Sequence, residues 1–495
     1  MHYLLAIDQG TTNSRAIIFD RQANIMGQHE CALTQYYPQA GWVEQDPEEM
    51  FNHTVDCCRQ ALINAKLTAK EIAAIGISNQ RETTIIWDKK TGKPVYPAIV
   101  WQDRRTSDYC AVLSQQALGT VISHKTGLLL DPYFSATKIV WILNHVPGVR
   151  ERAERDELLF GTVDTYLLWK LTGGRVHVTD VTNASRTLLF NIHTQEWDKD
   201  ILNVFHVPAN LLPRVLDNTA DFGELDESIL GQRIPITGVA GDQQAATIGQ
   251  ACFSPGMVKA TYGTGAFMLL NTGTMVIQSQ NQLLSTIAYR INKQITYGLE
   301  GSIFCAGVTI KWLRDTLKLI QTADETAHLA NLITSTEGVY LVPAFTGLGA
   351  PYWDPHARGA LLGLTRNSGR EHIVRAALES VAYQTRDLLE AMTADSKTML
   401  KTLRVDGGMA ANDWLLAFLS DILNLEVQRP TCIETSALGA AYLAGLQIGM
   451  YQSLEEIALL WNKEKSFTPQ MSIEQRDQFY QGWKRAIDCV KYNKK

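Results

Sequence analysis

The chain opens on an apolar run, Tyr3-Leu4-Leu5-Ala6-Ile7, and breaks at the polar octamer Asp8-Gln9-Gly10-Thr11-Thr12-Asn13-Ser14-Arg15. It then returns to apolar residues at Ala16-Ile17-Ile18-Phe19. Two short apolar runs around a polar, Gly-containing bend predict a β-hairpin with strands at 3–7 and 15–19. Further strand-like runs fall at 72–78, 83–87 and 98–101. Between them, Asp46-Pro47-Glu48-Glu49 reads as a helix start, with Asp46 as N-cap, Pro47 at the first helical position and Glu49 closing a capping box. Apolar residues continue at helical spacing through Val55, Leu62 and Ile63. Strands alternating with helices in this way predict an α/β protein.

The same device recurs. After Phe253-Ser254-Pro255-Gly256, a natural boundary, Met257–Tyr262 form an apolar strand, Gly263-Thr264-Gly265 a turn, and Ala266–Leu270 a second strand. Two hairpins of one design, each opening half of the chain, predict an internal duplication with a cleft between the halves, divided as 1–252 and 253–495. A third turn ends the strand Leu403-Arg404-Val405-Asp406 in Gly407-Gly408, with Asn412 leading into a helical pattern through Trp414, Leu415, Phe418, Leu419 and Ile422. Asp242 follows another strand-like run, 234–239, and precedes a helical segment.

Composition narrows the class. With 495 residues the chain needs more than one core. A hydrophobic content of 45%, a charged content of 19% and a net charge of −6 exclude a basic nucleic-acid or membrane-surface binder. The eight cysteines are scattered without a C-x-x-C pair, which predicts free thiols in a reducing, cytoplasmic setting. No apolar run reaches about 18 residues and the N-terminus goes straight into a strand, so neither a membrane span nor a signal peptide is expected.

The opening octamer has the chemistry of a phosphate site. Glycine lets the backbone approach an anion, hydroxyls and turn N–H groups donate to it, and Arg15 adds charge. Asp8 can hold Mg²⁺ on the same phosphates. An ordinary hairpin with a polar turn would carry similar residues, so the octamer alone does not decide. The chain has no G-x-x-x-x-G-K-[ST] loop, no G-x-G-x-x-G after a strand and no H-R-D loop. A nucleotide must therefore be bound by another architecture, and two duplicated α/β halves with hydroxyl-bearing hairpins describe the actin, hexokinase and sugar-kinase cleft. The Gly407-Gly408 turn allows a flat ring against the backbone, with the Asn412 amide beside it, although a plain β–α turn needs no ligand.

On these residues the chain resembles the glycerol-phosphorylating branch of a family of carbohydrate kinases to which gluconate and xylulose kinases also belong. The likeness is colinear over essentially the whole length. Its marks are Asp8–Arg15, Asn79–Thr84, Ile99–Arg105, Tyr133–Lys138, Gly241–Gln244, Tyr262–Gly265 and Asp406-Gly407-Gly408 with Asn412. The resemblance implies two duplicated actin/hexokinase-like (ribonuclease H-like) domains with a nucleotide cleft between them. It implies transfer of phosphate from ATP to a terminal hydroxyl of glycerol, giving sn-glycerol 3-phosphate, with Asp242 as general base. It places Arg81, Glu82, Tyr133 and Gln243 with Asp242 on the hydroxyls, and Trp101 and Phe267 over the carbon edge. Thr11, Thr12, Asn13, Arg15 and Thr264 are implied on the phosphates, Gly307, Lys311, Gly408 and Asn412 toward the nucleoside, and Asp8 on Mg²⁺. A homodimer or homotetramer is usual among such proteins. Two rival readings keep the fold: a kinase for another polyol or ketose, and an ATP-driven switch that phosphorylates no small molecule. The paired aromatics over a short carbon edge speak against the first, and the substrate constellation against the second.

Two segments depart from the family pattern. Some relatives have glutamine where this chain has Lys311, which keeps a donor but loses an acceptor. The segment 225–233 is acidic, poor in glycine and free of histidine, so control by fructose 1,6-bisphosphate or by histidine phosphorylation, known in some relatives, is expected to be absent. The patch Gln481–Arg485 is expected to lie on a solvated terminal helix.

Overall fold

The computed structural model describes residues 2–116, 118–354 and 356–491. The opening hairpin forms as expected and runs two residues further toward its bend. Strand β1 (Tyr3–Gln9) pairs antiparallel with β2 (Asn13–Phe19), and β2 pairs antiparallel with β3 (Ile25–Ala32). On its other edge β1 runs parallel to β4 (Ile72–Asn79), and β4 parallel to β5 (Ile236–Gly241). The five-stranded sheet thus has the order β5-β4-β1-β2-β3.

The second half repeats it. Its strands are β6 (Met257–Tyr262), β7 (Ala266–Gly273), β8 (Leu284–Ile291), β9 (Gln294–Ile303), β10 (Thr402–Asp406), β11 (Val427–Pro430) and β12 (Lys463–Phe467). They lie in the order β8-β9-β7-β6-β10-β11-β12. The inner five, β9-β7-β6-β10-β11, match β3-β2-β1-β4-β5 in order and direction: two antiparallel steps on one side of the hairpin and two parallel steps on the other. The sheet topology therefore carries the duplication that two similar hairpins foreshadow.

Two helices hold the halves together. Helix α1 (Asp242–Gly249) leaves the end of β5, and α2 (Thr435–Gln447) crosses from the second half onto the first sheet. The apolar face of α2, with Leu438, Ala441 and Tyr442, shares one core with Leu4, Ala6, Ile17, Phe19 and Ala74. The two helices touch backbone to backbone. A Cβ at Gly439 would lie 1.8 Å from the Ala245 carbonyl oxygen, and one at Gly249 2.0 Å from that of Thr435. No other residue fits that crossing.

Between β4 and β5 the chain makes a long excursion with its own apolar cluster, including Ile99, Leu128, Phe134, Ile139, Phe160 and Leu188. This excursion carries Trp101, Tyr133 and Arg186.

Two local expectations are corrected. Asp46 does cap the helix Pro47–Ala65, accepting from the Glu48 N–H, but Glu49 closes no capping box. Its carboxylate turns outward to the Thr34 hydroxyl at 2.8 Å, a competing donor that fixes the neighbouring loop. The C-terminal helix (Ile473–Val490) is docked rather than solvated through Gln481–Arg485. Trp483 is fully buried and donates to Asp387 at 2.8 Å, and Gly482 leaves room for the Tyr340 hydroxyl. Trp483 belongs to the apolar stripe of an amphipathic helix, which the charged pair Lys484-Arg485 masks in the sequence. Among the described residues no helix is long and apolar enough to cross a membrane.

Candidate active site

Asp242 stands at the junction of β5 and α1, where a strand end faces the second half. The strand is fixed beneath it by buried polar groups. The Gly241 N–H donates to Thr182 Oγ1 at 2.9 Å, and Thr182 donates to Asp180, which caps the short helix Val181–Ala184. The Asp242 side chain is about a third exposed, and its Oδ1 accepts from the Gln243 N–H at 2.7 Å and lies 3.2 Å from Arg81 Nε. Among the described residues no side chain reaches Oδ2, which leaves one carboxylate oxygen open to accept a proton.

Arg81 and Glu82 follow β4 after one intervening residue, Gln80, and are exposed by 2% or less. Arg81 forms a two-pronged pair with Glu300 of β9, at 2.5 Å from Nη1 and 3.0 Å from Nη2. Tyr133 Oη accepts from Nη2 at 3.3 Å. Arg186 donates through Nε to Glu82 Oε1 at 2.7 Å and through Nη2 to Glu300 Oε1 at 2.9 Å. Burial opposes these charges, but the ring of opposite charges overrides it. Burial pushes the Glu300 carboxyl up, and Arg186 and Arg81 more than reverse this, bringing it down to about 2. Burial likewise works against the Arg81 cation, yet Glu300 and then Glu82 hold it well above its usual range. Lys138, also buried, donates to the carbonyls of Tyr133 at 2.5 Å and Phe134 at 3.0 Å and so fixes the turn that presents the Tyr133 ring.

Three aromatic rings close one side. Trp101 meets Tyr133 edge-on with centroids 5.5 Å apart and Phe267, from β7 of the second half, at 6.0 Å. Trp101 Nε1 donates to Thr11 Oγ1 at 2.8 Å, which ties the ring to the opening hairpin. Gln243 lies at the start of α1, where its side-chain carbonyl accepts from the buried Lys259 of β6. Arg81, Glu82, Tyr133, Asp242, Gln243, Trp101 and Phe267 thus belong to one connected set drawn from both halves.

Trp101 links the two hairpins, donating to Thr11 in the bend of the first and meeting Phe267 just after the bend of the second. In the first, the Gly10 N–H closes on the Asn13 carbonyl at 2.9 Å. Thr12 is exposed and Thr11, Asn13 and Arg15 are part-exposed. Arg15 pairs with Glu30 at 3.1 Å and with Glu434 of the second half, just before α2. Asp8, at the end of β1, has its carboxyl raised to about 6, first by burial and then by the neighbouring Glu434 and Asp242 charges, against the opposing pull of Arg15. In the second hairpin Gly263 and Thr264 are exposed. The carbonyl of Thr264 accepts from the N–H of Ala306 and Val308, and that of Gly263 from the N–H of Gly307, at the start of the helix Gly307–Asp315. Lys311 projects from that helix and is exposed.

The third turn sits beside them. Gly407 has φ +85°, and a Cβ there would lie 2.6 Å from the Tyr262 carbonyl oxygen, so glycine is required. Gly408 is open, with nothing within 4 Å of a Cβ position. Asn412 caps the helix Asp413–Leu423 by accepting from the Leu415 N–H at 3.1 Å, and its amide donates to Thr326 at 3.1 Å. Half of the hydrogen-bonding capacity of the Asn412 amide is therefore spent within the protein.

Reading the sequence missed Arg186 and Glu300. Arg186 lies in the run Thr179–Thr187, whose density of Thr, Asn, Ser and Asp looks like a surface loop yet is buried throughout. Glu300 carried one usable signal, a lone carboxylate inside the apolar strand β9.

Two duplicated α/β domains, a hydroxyl-bearing hairpin from each and a carboxylate at a strand end between them define a two-domain kinase. Residues 3–249 match the N-terminal domain, and 258–448 the C-terminal domain, of the FGGY family of carbohydrate kinases. The chain belongs to that family. It is 60% identical over 488 residues to a glycerol kinase of Coxiella burnetii, covering 98% of this chain and 97% of that protein. It is 58% identical to one of Ectopseudomonas mendocina, covering 99% of each. Among solved structures it resembles Plasmodium falciparum glycerol kinase with ADP, with a TM-score of 0.93 and 37% identity over 100% of this chain and 99% of that one. A xylulose kinase from Lactobacillus acidophilus shares the fold, with a TM-score of 0.88 at 21% identity over 99% of this chain and 98% of that one.

Proposed function

We propose that this protein transfers the γ-phosphoryl group of ATP to a terminal hydroxyl of glycerol, giving sn-glycerol 3-phosphate and ADP. The observation that carries this reading is the junction at Asp242. One carboxylate oxygen is held by the Gln243 N–H and faces Arg81, while the other is open beside a ring of hydroxyl-binding groups. Glycerol presents three hydroxyls and a short C–H edge. Arg81, Glu82, Tyr133 and Gln243 supply the donors and acceptors, and Trp101 and Phe267 supply apolar surface from opposite halves.

Phosphoryl transfer asks mainly for positioning and charge stabilisation. Asp242 Oδ2 accepts the proton of the attacking hydroxyl as the oxygen bonds to phosphorus and ADP departs. Thr11, Thr12, Asn13 and Thr264, with the N–H groups of their bends, bind the phosphate oxygens, and Arg15 exchanges part of its pairing with Glu30 and Glu434 for them. Gly307, Lys311, Gly408 and Asn412 border the nucleoside. Asp8 is the group that would hold Mg²⁺, which when bound supplies positive charge to the phosphates. Its raised carboxyl, crowded by Glu434 and Asp242, is an environment that a cation relieves. We place the domain division at residues 252 and 253, in the connection between α1 and β6, and take the working protein to be a cytoplasmic homo-oligomer without dependence on fructose 1,6-bisphosphate or histidine phosphorylation.

The test is ADP formation by the purified protein with Mg-ATP and glycerol, the product being identified with an enzyme that oxidises only the sn-3 phosphate. Release of ADP without a phosphorylated product would favour an ATP-driven switch instead.

A further inference from the structure

The buried charge ring beneath the acceptor site contains two members, Arg186 and Glu300, that touch no proposed substrate atom. Arg81 has five guanidinium N–H groups to place. Two on Nη1 meet Glu300 Oε2 at 2.5 Å and Gln244 Oε1 at 3.3 Å, and two on Nη2 meet Glu300 Oε1 at 3.0 Å and Tyr133 Oη at 3.3 Å. The fifth, on Nε, lies 3.2 Å from Asp242 Oδ1 and 3.6 Å from Glu82 Oε1 without a hydrogen bond to either, and is the donor left for a substrate hydroxyl. Arg81 is thus held in one orientation by a fork-to-fork pair whose partner lies 219 residues away in the other half.

Arg186 completes the ring by binding Glu82 and Glu300 together, with its guanidinium 5.6 Å from the Tyr133 ring and 5.4 Å from that of Phe134. All four side chains of the ring are exposed by 2% or less. Arg186 Nε donates to Glu82 Oε1, Arg81 Nε lies 3.6 Å from the same oxygen, and among the described residues none reaches Oε2. The ring therefore orients Glu82 with one acceptor oxygen in reserve.

We propose that Glu300 and Arg186 are positioning residues for the phosphoryl acceptor. Glu300 reaches across from the second half to lock Arg81, and Arg186 fixes Glu82 so that Oε2 is presented to a substrate hydroxyl. The acceptor site is complete only when both halves contribute. This rests on Arg81 and Glu82 being acceptor ligands. A displacement of about 1 Å in such ligands is enough to cost two orders of magnitude in turnover.

The test uses the full-length protein with three substitutions. Glu300→Gln keeps the size and one acceptor oxygen, Glu300→Asp keeps the charge, and Arg186→Lys keeps the charge but loses the fork. KM for glycerol is measured at saturating ATP, KM for ATP at saturating glycerol, and ADP affinity by calorimetry. Glu300→Gln is expected to raise the glycerol KM about 10-fold or more, the loss of a charge-assisted hydrogen-bond pair, while the ATP KM and ADP affinity stay within about 2-fold. Glu300→Asp should recover part of the loss. Should Glu300→Gln fail to fold by circular dichroism, Arg186→Lys is read by the same split.

A glycerol KM within about 2-fold of the parent, or glycerol and ATP KM values that rise together, would overturn the proposal and leave the ring a structural ion cluster. If the parent enzyme instead prefers another polyol, the glycerol reading fails, and the same split measured with that polyol still decides the role of the ring. A parent that phosphorylates no polyol overturns both.

Discussion

Around Arg81 and Glu82 the charges are paired with Glu300 and Arg186 out of contact with water, and Asp242 stands beside them about a third exposed. At the proposed nucleoside border the surface is built from Gly307, the open Gly408, the exposed Lys311 and an Asn412 already engaged as a helix cap. The first region spends ion pairs on fixing a few acceptor and donor atoms. The second clears backbone for a flat group and fixes little. A small polyol offers only hydroxyls and a short carbon edge, so selectivity must come from rigid, desolvated polar groups whose mismatch is costly. A nucleotide brings large apolar and anionic surfaces of its own and can be held by shape and phosphate contacts.

The comparison can be broken by substitutions of graded effect. The largest is expected at the junction itself. Asp242→Asn should lower kcat by about 10²–10⁴, the usual cost of removing a general base, with ADP affinity by calorimetry unchanged. Retention of a tenth of kcat would remove Asp242 from the chemistry. Next, Glu82→Gln should raise the glycerol KM roughly 10–100-fold while leaving the ATP KM in place, since it weakens a charge-assisted bond to a hydroxyl and the hold of Arg186. Equal rises in both constants would show that the two ends are not separate. At the open end, Lys311→Ala should change the ATP KM less than about 5-fold, because an exposed charge contributes at most about 1 kcal/mol. A larger loss would place a buried contact at Lys311 in the nucleotide complex.

The smallest effect is a flat line. Glu300 has its carboxyl lowered to about 2 because burial, which raises it, is outweighed by Arg186 and Arg81. The stability it contributes is therefore fully present above the unfolded value near 4.5 and is lost only as pH falls toward 2. The ring should stay ionised between pH 5 and 7, and a titration of the glycerol KM in that window that Asp8→Asn does not remove would mean that the ring is not ionised as a unit.

The same contrast explains what could be read from the chain. Both hairpins, the Gly407 turn and the strand end at Asp242 were legible, because each is a local event: an apolar run, a bend residue and a second run within about ten positions. Trp101 and Phe267 were assigned to one site from opposite halves through family likeness, and the rings do meet. The charge ring was not legible. Arg186 and Glu300 find their partners over more than a hundred residues, and nothing local separates a buried Arg in a Thr- and Ser-rich run from a surface one. The docking of Trp483 escaped for a related reason. One apolar residue among charged neighbours belongs to a core only when the opposing Asp387 is known.

The central claim is that the closed end selects glycerol, and the most direct measurement is kcat/KM for glycerol and for xylulose under the same Mg-ATP concentration, by coupled ADP detection. The Trp101–Phe267 pair over a short carbon edge is expected to suit glycerol better than a pentose ketose, which predicts a ratio in favour of glycerol of about 10² or more. A ratio of one, or any preference for xylulose, would contradict the account.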